Sequence, residues 1–517
     1  MPSTTWCRRA GQRQSGMGFT LRGVIAVSVL VAGARGARGE PDDAKLAELR
    51  LAEVIAAAVR QSPDLERARI DVAAARALLQ QAEGVGDTHV GGRATVSAAG
   101  LASTDPRGDN SSYTTGLQAF GRRALSTGGT LEVTVGGARG HYNQPGTDAD
   151  GNLIHVDSDA YGTLAQLQLT QPLLRGAGAA AFEAPIHQAE RQRDAAALSQ
   201  EAKARDLLVS ISQSYWEVAF GWRQLEVRKV SLDLAEKQLA LTEGAIRSEK
   251  VAKSEALAVQ QAIAIRKQDV INSEQDLYER SLALRRLGGL EIGPDQLMVR
   301  TEALPTRADV QELDQETLVR QAFEHSAELA ALEATRRAAE IAMTAADNAA
   351  KSKLDLSVTG TVNGSDKTAG RAVTSMFDHP GYALDASLTY DRAVEQRAER
   401  GGQAVARAAL LAAKAAERDA RAKLAVRATR AVQRARAAIT KIALGADAID
   451  LAEQNVTAEQ KRFELGKSTN FEVLRRQDDL EQARLRHAEA VTDLMTARAE
   501  LDGLSGTILP RYNIVMP

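Results

Sequence analysis

The stretch from Asp447 to Gly506 restricts the possible folds more than any other part of the chain. It contains no proline, and its only glycines are Gly466, Gly503 and Gly506. Apolar residues recur at helical spacing on both sides of Gly466, and charged residues occupy the remaining faces. The pattern predicts two long amphipathic helices joined by a turn at residues 466–470.

The same pattern occurs a second time, 217 residues earlier in the chain. The sequence Asp-Leu-Ala-Glu stands at residues 233–236 and again at 450–453. The same shift, without a gap, aligns Leu257 with Leu474. A repeat of this length indicates a duplicated half-protein rather than a solenoid of short units.

The composition favours long packed helices over an ordinary globular core. Aromatic residues make up only 4% of the 517 residues, and the apolar residues are mostly Ala, Leu and Val. The net charge is −2 without a strongly basic segment, which argues against nucleic acid as a partner. A chain of this length forms either two to four domains or a single elongated one.

Residues 1–34 have the pattern of a secretory signal peptide. Arginines precede an apolar run at residues 24–31, and Ala-Gly-Ala at residues 32–34 follows it as a cleavage site. Met17 is an alternative start that would give a conventional positively charged segment. The only cysteine, Cys7, lies in this segment, so the mature chain is expected to have no disulfide and no thiol nucleophile.

Each repeat combines helices with segments that alternate as strands do. After the signal peptide, no segment offers 18 consecutive apolar residues, so a membrane crossing would need a closed β-barrel. The predicted bounds are 46–312 for the first repeat (helix 46–83, strands at about 88–173, helical hairpin at about 181–288, linker 290–312), 313–506 for the second repeat (helix 313–350, strands at about 354–391, hairpin at about 393–506) and 507–517 for a C-terminal tail.

The predicted strands are about ten residues long, the length that crosses a membrane when tilted in a barrel. We expect two strands in the second repeat and either two or four in the first, with a loop at residues 364–380. Aromatic residues cluster here and indicate an interfacial girdle, with ordinary residues of a soluble sheet as the alternative: Tyr113, Phe120, Tyr142, Tyr161, Phe377, Tyr382 and Tyr390. Open edges are not stable in lipid, so closure requires several chains and about 12 or 18 strands in total.

The first helix of each hairpin is expected to have roughly 60 residues and to extend about 90 Å. This length exceeds a compact domain and is typical of a coiled-coil tube. The predicted fold is therefore mainly α-helical, with a smaller β part for the membrane.

Short motifs occur in an order that resembles the TolC-like outer-membrane efflux protein family, the outer membrane factors. They are Leu-Ala-Glu at residues 51–53 with Ser-Pro-Asp-Leu at 62–65, Leu-Thr-Gln-Pro-Leu-Leu at 169–174, and Arg-Phe-Glu-Leu-Gly-Lys-Ser at 462–468. Each motif alone is weak, whereas their order together with the duplication is specific. The resemblance covers about residues 46–506.

The resemblance implies a homotrimer whose duplicated long helical hairpins form a periplasmic barrel and whose strands contribute to one shared transmembrane β-barrel. Members of the family lie in the outer membrane, in contact with its lipids, and extend into the periplasm. They dock on a periplasmic adaptor (membrane fusion) protein and, indirectly, on an inner-membrane pump. The implied function is a passive exit duct of a tripartite efflux or type I secretion system, without enzymatic activity, cofactor, metal or nucleic acid.

Two other function classes remain open from the residues alone. A periplasmic coiled-coil adaptor or structural protein of the envelope would also contain long hairpins, although an adaptor normally has one hairpin flanked by sandwich-forming strands. An enzyme lacks positive signals, because the histidines are scattered without HExxH and no GxSxG occurs. The acidic loop with Asp148, Asp150, His155, Asp157 and Asp159 lacks EF-hand spacing, so we expect a solvated loop rather than a metal site.

The resemblance places the adaptor-binding periplasmic tip at the turn between the two helices of a hairpin. In the second repeat this turn consists of Leu465, Gly466, Lys467 and Ser468. The first repeat has Lys250 and Val251 at the corresponding turn and lacks the glycine. Because glycine relieves the constraint of a positive φ, the two tips are expected to differ in turn geometry.

The resemblance also implies a pore constriction lined by carboxylates near the tip. The matching positions are Glu472 and, at the 217-residue shift, Glu255. The family's second carboxylate position is occupied by Arg475, which is a departure from the pattern. A ring of Glu472 and Arg475 would pair charges instead of concentrating negative potential, and the alternative is that these residues form a solvated helix face.

Overall fold

The computed structural model describes residues 48–101, 110–151, 153–249, 251–291, 298–305 and 314–514. The predicted signal peptide and Lys250 lie outside these ranges, as do parts of the predicted linker and tail. Within the described ranges, none of the helices combines the length and the hydropathy that crossing a membrane requires.

The described residues form long helices and a smaller sheet, which confirms the predicted mixture of a dominant helical part with a β part. The helices are α1 Leu51–Gln61, α2 Pro63–Glu83, α3 Ala179–Arg247, α4 Ser254–Gly288, α5 Gln315–Glu324, α6 Ala327–Ala349, α7 Ala369–Asp378, α8 Arg397–Glu464, α9 Asn470–Leu504 and α10 Ile508–Arg511. The strands are β1 Glu48–Leu49, β2 Thr88–Leu101, β3 Asn110–Ala124, β4 Thr130–Thr147, β5 Leu153–Pro172, β6 Arg300–Thr301, β7 Lys353–Asp366 and β8 Gly381–Asp391.

The two helical hairpins lie close to the predicted bounds, and the first helix of each is somewhat longer than the roughly 60 residues expected. Helices α3 and α8 have 69 and 68 residues, whereas their partners α4 and α9 have 35 each. At 1.5 Å per residue, α3 and α8 extend about 100 Å. Helix α2 packs against α3, and α6 packs against both α3 and α8, so these shorter helices cover lengths that α4 and α9 do not reach.

The main sheet has six antiparallel strands in the order β2-β3-β4-β5-β7-β8. The first repeat contributes four of them and the second contributes two. The strands have 11 to 20 residues rather than about ten. The longest are β4 and β5, whose pairing continues from Thr130 and Thr170 out to Thr147 and Leu153. The expectation of a loop throughout residues 364–380 was wrong, since α7 forms within it.

Strand alternation gives this sheet one apolar face and one polar face, because successive side chains point to opposite sides. The large exposed side chains of the apolar face are Val90, Val96, Tyr113, Leu117, Val133, Val135, Leu167, Leu169, Leu356, Val362, Tyr382, Leu384, Leu388 and Tyr390. The polar face includes Arg93, Thr95, Gln118, Glu132, Gln168, Ser357, Thr359 and Asp385. Phe120 and Tyr142 also lie on the polar face, so the expectation that all clustered aromatic residues share one girdle was wrong.

A hydrophobic core around Tyr215 of α3 joins α1, the linker and α10 to the first hairpin. The fully buried Tyr215 hydroxyl donates to the carbonyl oxygen of Leu49 at 2.9 Å and accepts from the backbone N–H of Glu302 at 2.9 Å. Burial raises the pKa of Tyr215 to about 12, so the hydroxyl stays protonated and keeps its donor. Val299 of the linker and Ile508 of α10 pack in the same core.

We expect Tyr215→Phe to lower the free energy of unfolding by about 1–3 kcal/mol, because the Leu49 carbonyl and the Glu302 N–H lose their shared partner in a buried site. Urea unfolding of the detergent-purified protein, followed by circular dichroism, measures the change. Tyr278→Phe on α4 is the matched control, since Tyr278 is half-buried and makes no hydroxyl hydrogen bond within the described ranges. Equal effects of the two substitutions would contradict the assignment.

Candidate functional site

At the tip of the second hairpin, α8 ends in a cap in which Gly466 has the left-handed backbone conformation. Helix α8 ends at Glu464, and Gly466 has a φ of 71°. The Gly466 N–H donates to the Phe463 carbonyl at 2.9 Å, and the Lys467 N–H donates to the Arg462 carbonyl at 2.8 Å. These two bonds form a Schellman motif, which satisfies carbonyls that the end of α8 would otherwise leave without partners.

Polar caps and exposed apolar side chains alternate around this turn. The Ser468 hydroxyl donates to the carboxylate of Glu459, and the Thr469 hydroxyl accepts from the Glu472 N–H at 3.4 Å as the N-cap of α9. Leu465 and Phe471, by contrast, are 71% and 68% exposed. The tip is therefore a rigid turn that presents two large apolar side chains to the surroundings.

The tip of the first hairpin also has a residue of positive φ after its first helix, although this residue is not a glycine. Glu249, the counterpart of Gly466 at the 217-residue shift, has a φ of 57°, and its N–H donates to the Ile246 carbonyl at 3.0 Å. The expectation that the tips differ in geometry was wrong at this position, but the two turns do differ where the second helix begins: Lys253, the N-cap of α4, is helical, whereas Thr469, the N-cap of α9, is extended. Reversal of the hairpin requires the left-handed conformation whichever residue occupies the site, so Glu249 adopts it against its preference. Val251 follows, half-buried.

Glu255 takes part in a buried junction between the two hairpins. Asn470, the first residue of α9, is fully buried and donates to the Glu255 carboxylate at 3.1 Å. The Asn470 side-chain oxygen accepts from the Gln238 amide at 2.9 Å and from the Thr242 hydroxyl at 2.8 Å. One side chain of the second hairpin thus binds both helices of the first, and sequence reasoning missed it.

A second polar contact between the hairpins lies further along α9. The guanidinium of Arg266 is buried and donates to Gln477 at 2.9 Å, to Asp478 at 2.7 Å and to the Ser231 carbonyl at 2.9 Å. Asn470 and Gln477 are seven residues apart, so they lie on the same face of α9. That heptad spacing of amides in an apolar pattern was the one signal from which this seam could have been inferred.

Glu472 pairs within its own helix rather than with Arg475. Its carboxylate lies 4.0 Å from Arg476, which also contacts Asp479 at 3.2 Å. The side chain of Arg475 is exposed. The single chain therefore brings together Asn470 and Glu255 but leaves Glu472 half-buried and Arg475 exposed at the tip.

The acidic residues of the outer β4–β5 hairpin are engaged by neighbouring strand residues. Asp159 accepts from Arg139 at 3.1 Å and lies 3.0 Å from His141 Nδ1. Asp157 accepts from the Asn143 amide at 2.8 Å. Cross-strand partners thus bind Asp157 and Asp159, whereas Asp148 accepts from the Asp150 N–H within the turn between the strands.

We expect opposite effects from Gly466→Ala and Glu249→Gly, because only glycine adopts a positive φ without strain. Gly466→Ala should speed amide hydrogen exchange in residues 462–467 about fivefold, and Glu249→Gly should slow exchange in residues 246–249, each reflecting about 1 kcal/mol. Gly401→Ala inside α8, where the added methyl meets open space, should leave both tips unchanged. Faster exchange in Glu249→Gly would instead show that the glutamate side chain stabilises the turn.

Comparison with known proteins identifies the fold through structure rather than sequence. No protein-family model matches the chain, and no curated protein matches it. The outer-membrane channel OprN matches with a TM-score of 0.65 and 14% identity over 88% of this chain and 90% of its own. The outer membrane protein VceC of Vibrio cholerae matches with a TM-score of 0.62 and 16% identity over 88% and 96% of the two chains.

The MtrE outer membrane channel of Neisseria gonorrhoeae matches with a TM-score of 0.59 and 17% identity over 89% of each chain. These likenesses cover most of both chains in every pair. At such low identities they concern the arrangement of helices and strands. The chain therefore has the fold of the TolC-like outer-membrane channels.

Proposed function

We propose that three copies of this chain form an exit duct in the outer membrane that extends into the periplasm. The duct conducts substrates passively and performs no chemistry. The observation that carries this proposal is the six-stranded sheet with one exposed apolar face, joined to helices of about 100 Å in a channel fold. Soluble sheets normally bury such a face.

The apolar face of the sheet spans most of the height of a membrane band. Tyr382 and Tyr390 stand on this face near the two ends of β8, eight residues apart. At about 3.3 Å per residue they are separated by about 26 Å along the strand, which is about 20 Å along the membrane normal at a barrel tilt of about 40°. Barrels in outer membranes have an apolar band about 25 Å tall between aromatic girdles. We therefore assign the apolar face to lipid and the polar face to the lumen of the duct.

The edges of a single chain support closure by further copies. The sheet ends at β2 and β8, and unpaired backbone groups are costly in lipid. Three copies that each contribute six strands would close a barrel of about 18 strands. The helical layer also ends in exposed apolar side chains, which are Leu257, Ile265 and Ile271 on α4 and Val405, Leu411, Leu444 and Leu451 on α8. Head-to-tail packing of these two edges generates a ring.

The tips are the proposed docking surface for a periplasmic adaptor, and through it for an inner-membrane pump. Leu465, Gly466, Lys467 and Ser468 in one hairpin and Lys250 and Val251 in the other form these tips. Exposed Leu465 and Phe471 supply the apolar anchors that protein interfaces require. Tripartite efflux and type I secretion both use such a duct, and the cargo depends on the pump.

Fractionation tests the proposal directly. We expect heat-modifiable material of trimer size in the outer membrane. Cysteine pairs placed along β2 and β8 should cross-link between copies in a ladder that ends at the trimer. A soluble periplasmic monomer would overturn the duct and favour the alternative, a periplasmic coiled-coil adaptor or structural protein.

The proposed constriction involves Glu472, Glu255 and Arg475, and it predicts weak block by cations. Glu255 is bound to Asn470, and Glu472 lies near Arg476, so little negative charge is free at the tip. Arg475→Glu adds a carboxylate per chain and should strengthen block by a trivalent cation by about tenfold or more. Planar-bilayer recording with the cation on the tip side measures the block.

Arg486→Glu is the matched control for this substitution. Arg486 is exposed on nearly the same face of α9, eleven residues and about 16 Å further from the tip. It makes the same charge change outside the proposed constriction, so block should stay at the parental level. Equal cation block in the two variants would show that Arg475 does not line the constriction.

A further inference from the structure

Helix α7 lies across the apolar face of the sheet, between β7 and β8 in the chain. The Thr163 hydroxyl on β5 donates to the Ala372 carbonyl at 2.9 Å. A Cβ built on Gly364 of β7 would lie 2.3 Å from that same carbonyl and 2.7 Å from the Met376 nitrogen. The helix therefore rests on bare backbone at Gly364, and a side chain there would displace it.

Only part of the apolar surface of α7 is used in this contact. Ala372 is buried against the sheet, and Met376, one turn further, is half-buried. Val373 and Phe377 continue the same apolar arc but are 50% and 78% exposed. The remaining arc is polar and contains Arg371, Thr374 and Asp378. The helix is thus amphipathic, with an apolar strip at Val373 and Phe377 that remains largely exposed.

An open apolar cleft of about 370 Å³ separates α7 from β4 and β5. Its floor is Gly136, Gly137 and Gly162, where glycines leave the backbone bare, and Tyr161 and Val373 form its walls. The volume is in the range of sites that hold small molecules. Strands β4 and β5 are interior strands of the sheet, so a neighbouring copy that pairs at β2 or β8 does not fill the cleft.

We propose that α7 is an interfacial anchor that inserts Val373 and Phe377 into the outer leaflet, with the cleft holding one acyl chain of a membrane lipid. The inference rests on the proposed function, which assigns the apolar face to lipid. Gly364 lies two residues beyond Val362, whose cross-strand neighbour is Tyr382 of the girdle. The helix therefore stands at the rim of the apolar band, the depth at which amphipathic helices lie in a bilayer.

Fluorescence quenching by brominated lipid tests the anchor. The full-length protein with Val373→Trp is reconstituted in phosphatidylcholine vesicles, with or without bromine on the acyl chains, and the emission of the parental protein from Trp6, Trp216 and Trp222 is subtracted. We expect at least about twofold stronger quenching for Val373→Trp than for Thr374→Trp on the polar arc of the same helix. Leu384→Trp on the sheet reports whether the apolar face itself meets lipid.

The two proposals fail in distinguishable ways. Quenching of Leu384→Trp without quenching of Val373→Trp overturns the anchor and leaves the duct intact. Absence of quenching at both positions overturns the duct as well. Quenching at both, with Thr374→Trp protected, supports the anchor.

A pair of glycine substitutions on β7 tests whether α7 packs on Gly364 and whether the cleft holds lipid. When Gly364→Val is combined with Val373→Trp, the quenching by brominated lipid should no longer exceed that of Thr374→Trp, because the valine side chain at position 364 displaces α7. Gly360→Val is the matched control, since Gly360 lies on the same face of the same strand and an added Cβ there meets open space. Lipid retained by the purified trimer, measured by native mass spectrometry, should fall only in Gly364→Val. Equal lipid content in the two variants would exclude the cleft as an acyl-chain site.

Discussion

Burial of an apolar stripe along about 100 Å of helix is the requirement on which the rest of this structure depends. Helices α3 and α8 are about twice as long as their hairpin partners. The parts of α3 and α8 that extend beyond α4 and α9 must therefore pack on other helices. Helix α2 packs on α3, and α6 packs on both α3 and α8. The core around Tyr215 then ties the linker and α10 to α3, so the linker and the C-terminal tail meet the first repeat at one level of the molecule.

The polar seam between the hairpins determines how they are aligned. Buried amides and guanidinium groups are costly unless every partner is in place, so Asn470 and Arg266 admit few alternative registers. Asn470 binds Gln238, Thr242 and Glu255 at once. The tips are thus held as a unit within one chain, and in the proposed duct, opening would have to involve the contacts between chains or break this seam.

The apolar sheet face, the open strand edges and α7 share one physical explanation in the proposed duct. Lipid solvates apolar side chains but offers no hydrogen-bond partner to the backbone, so the apolar face is stable in lipid and an open strand edge is not. Further copies would supply backbone hydrogen-bond partners to β2 and β8. Helix α7 satisfies its own backbone and can therefore lie at the rim with Phe377 exposed.

The sequence by itself determined the repeat, the helical hairpins, the alternating strands and the turn at Gly466, because periodicity and turn chemistry are local properties of the chain. Tertiary structure alone decided the left-handed turn at Glu249, which hairpin reversal imposes on an unfavourable residue. It also decided the junction at Asn470, whose partner Gln238 is 232 positions away. Helix α7 escaped prediction for the same reason: a ten-residue helix is marginal alone, and it forms where Gly364 allows close packing on the sheet.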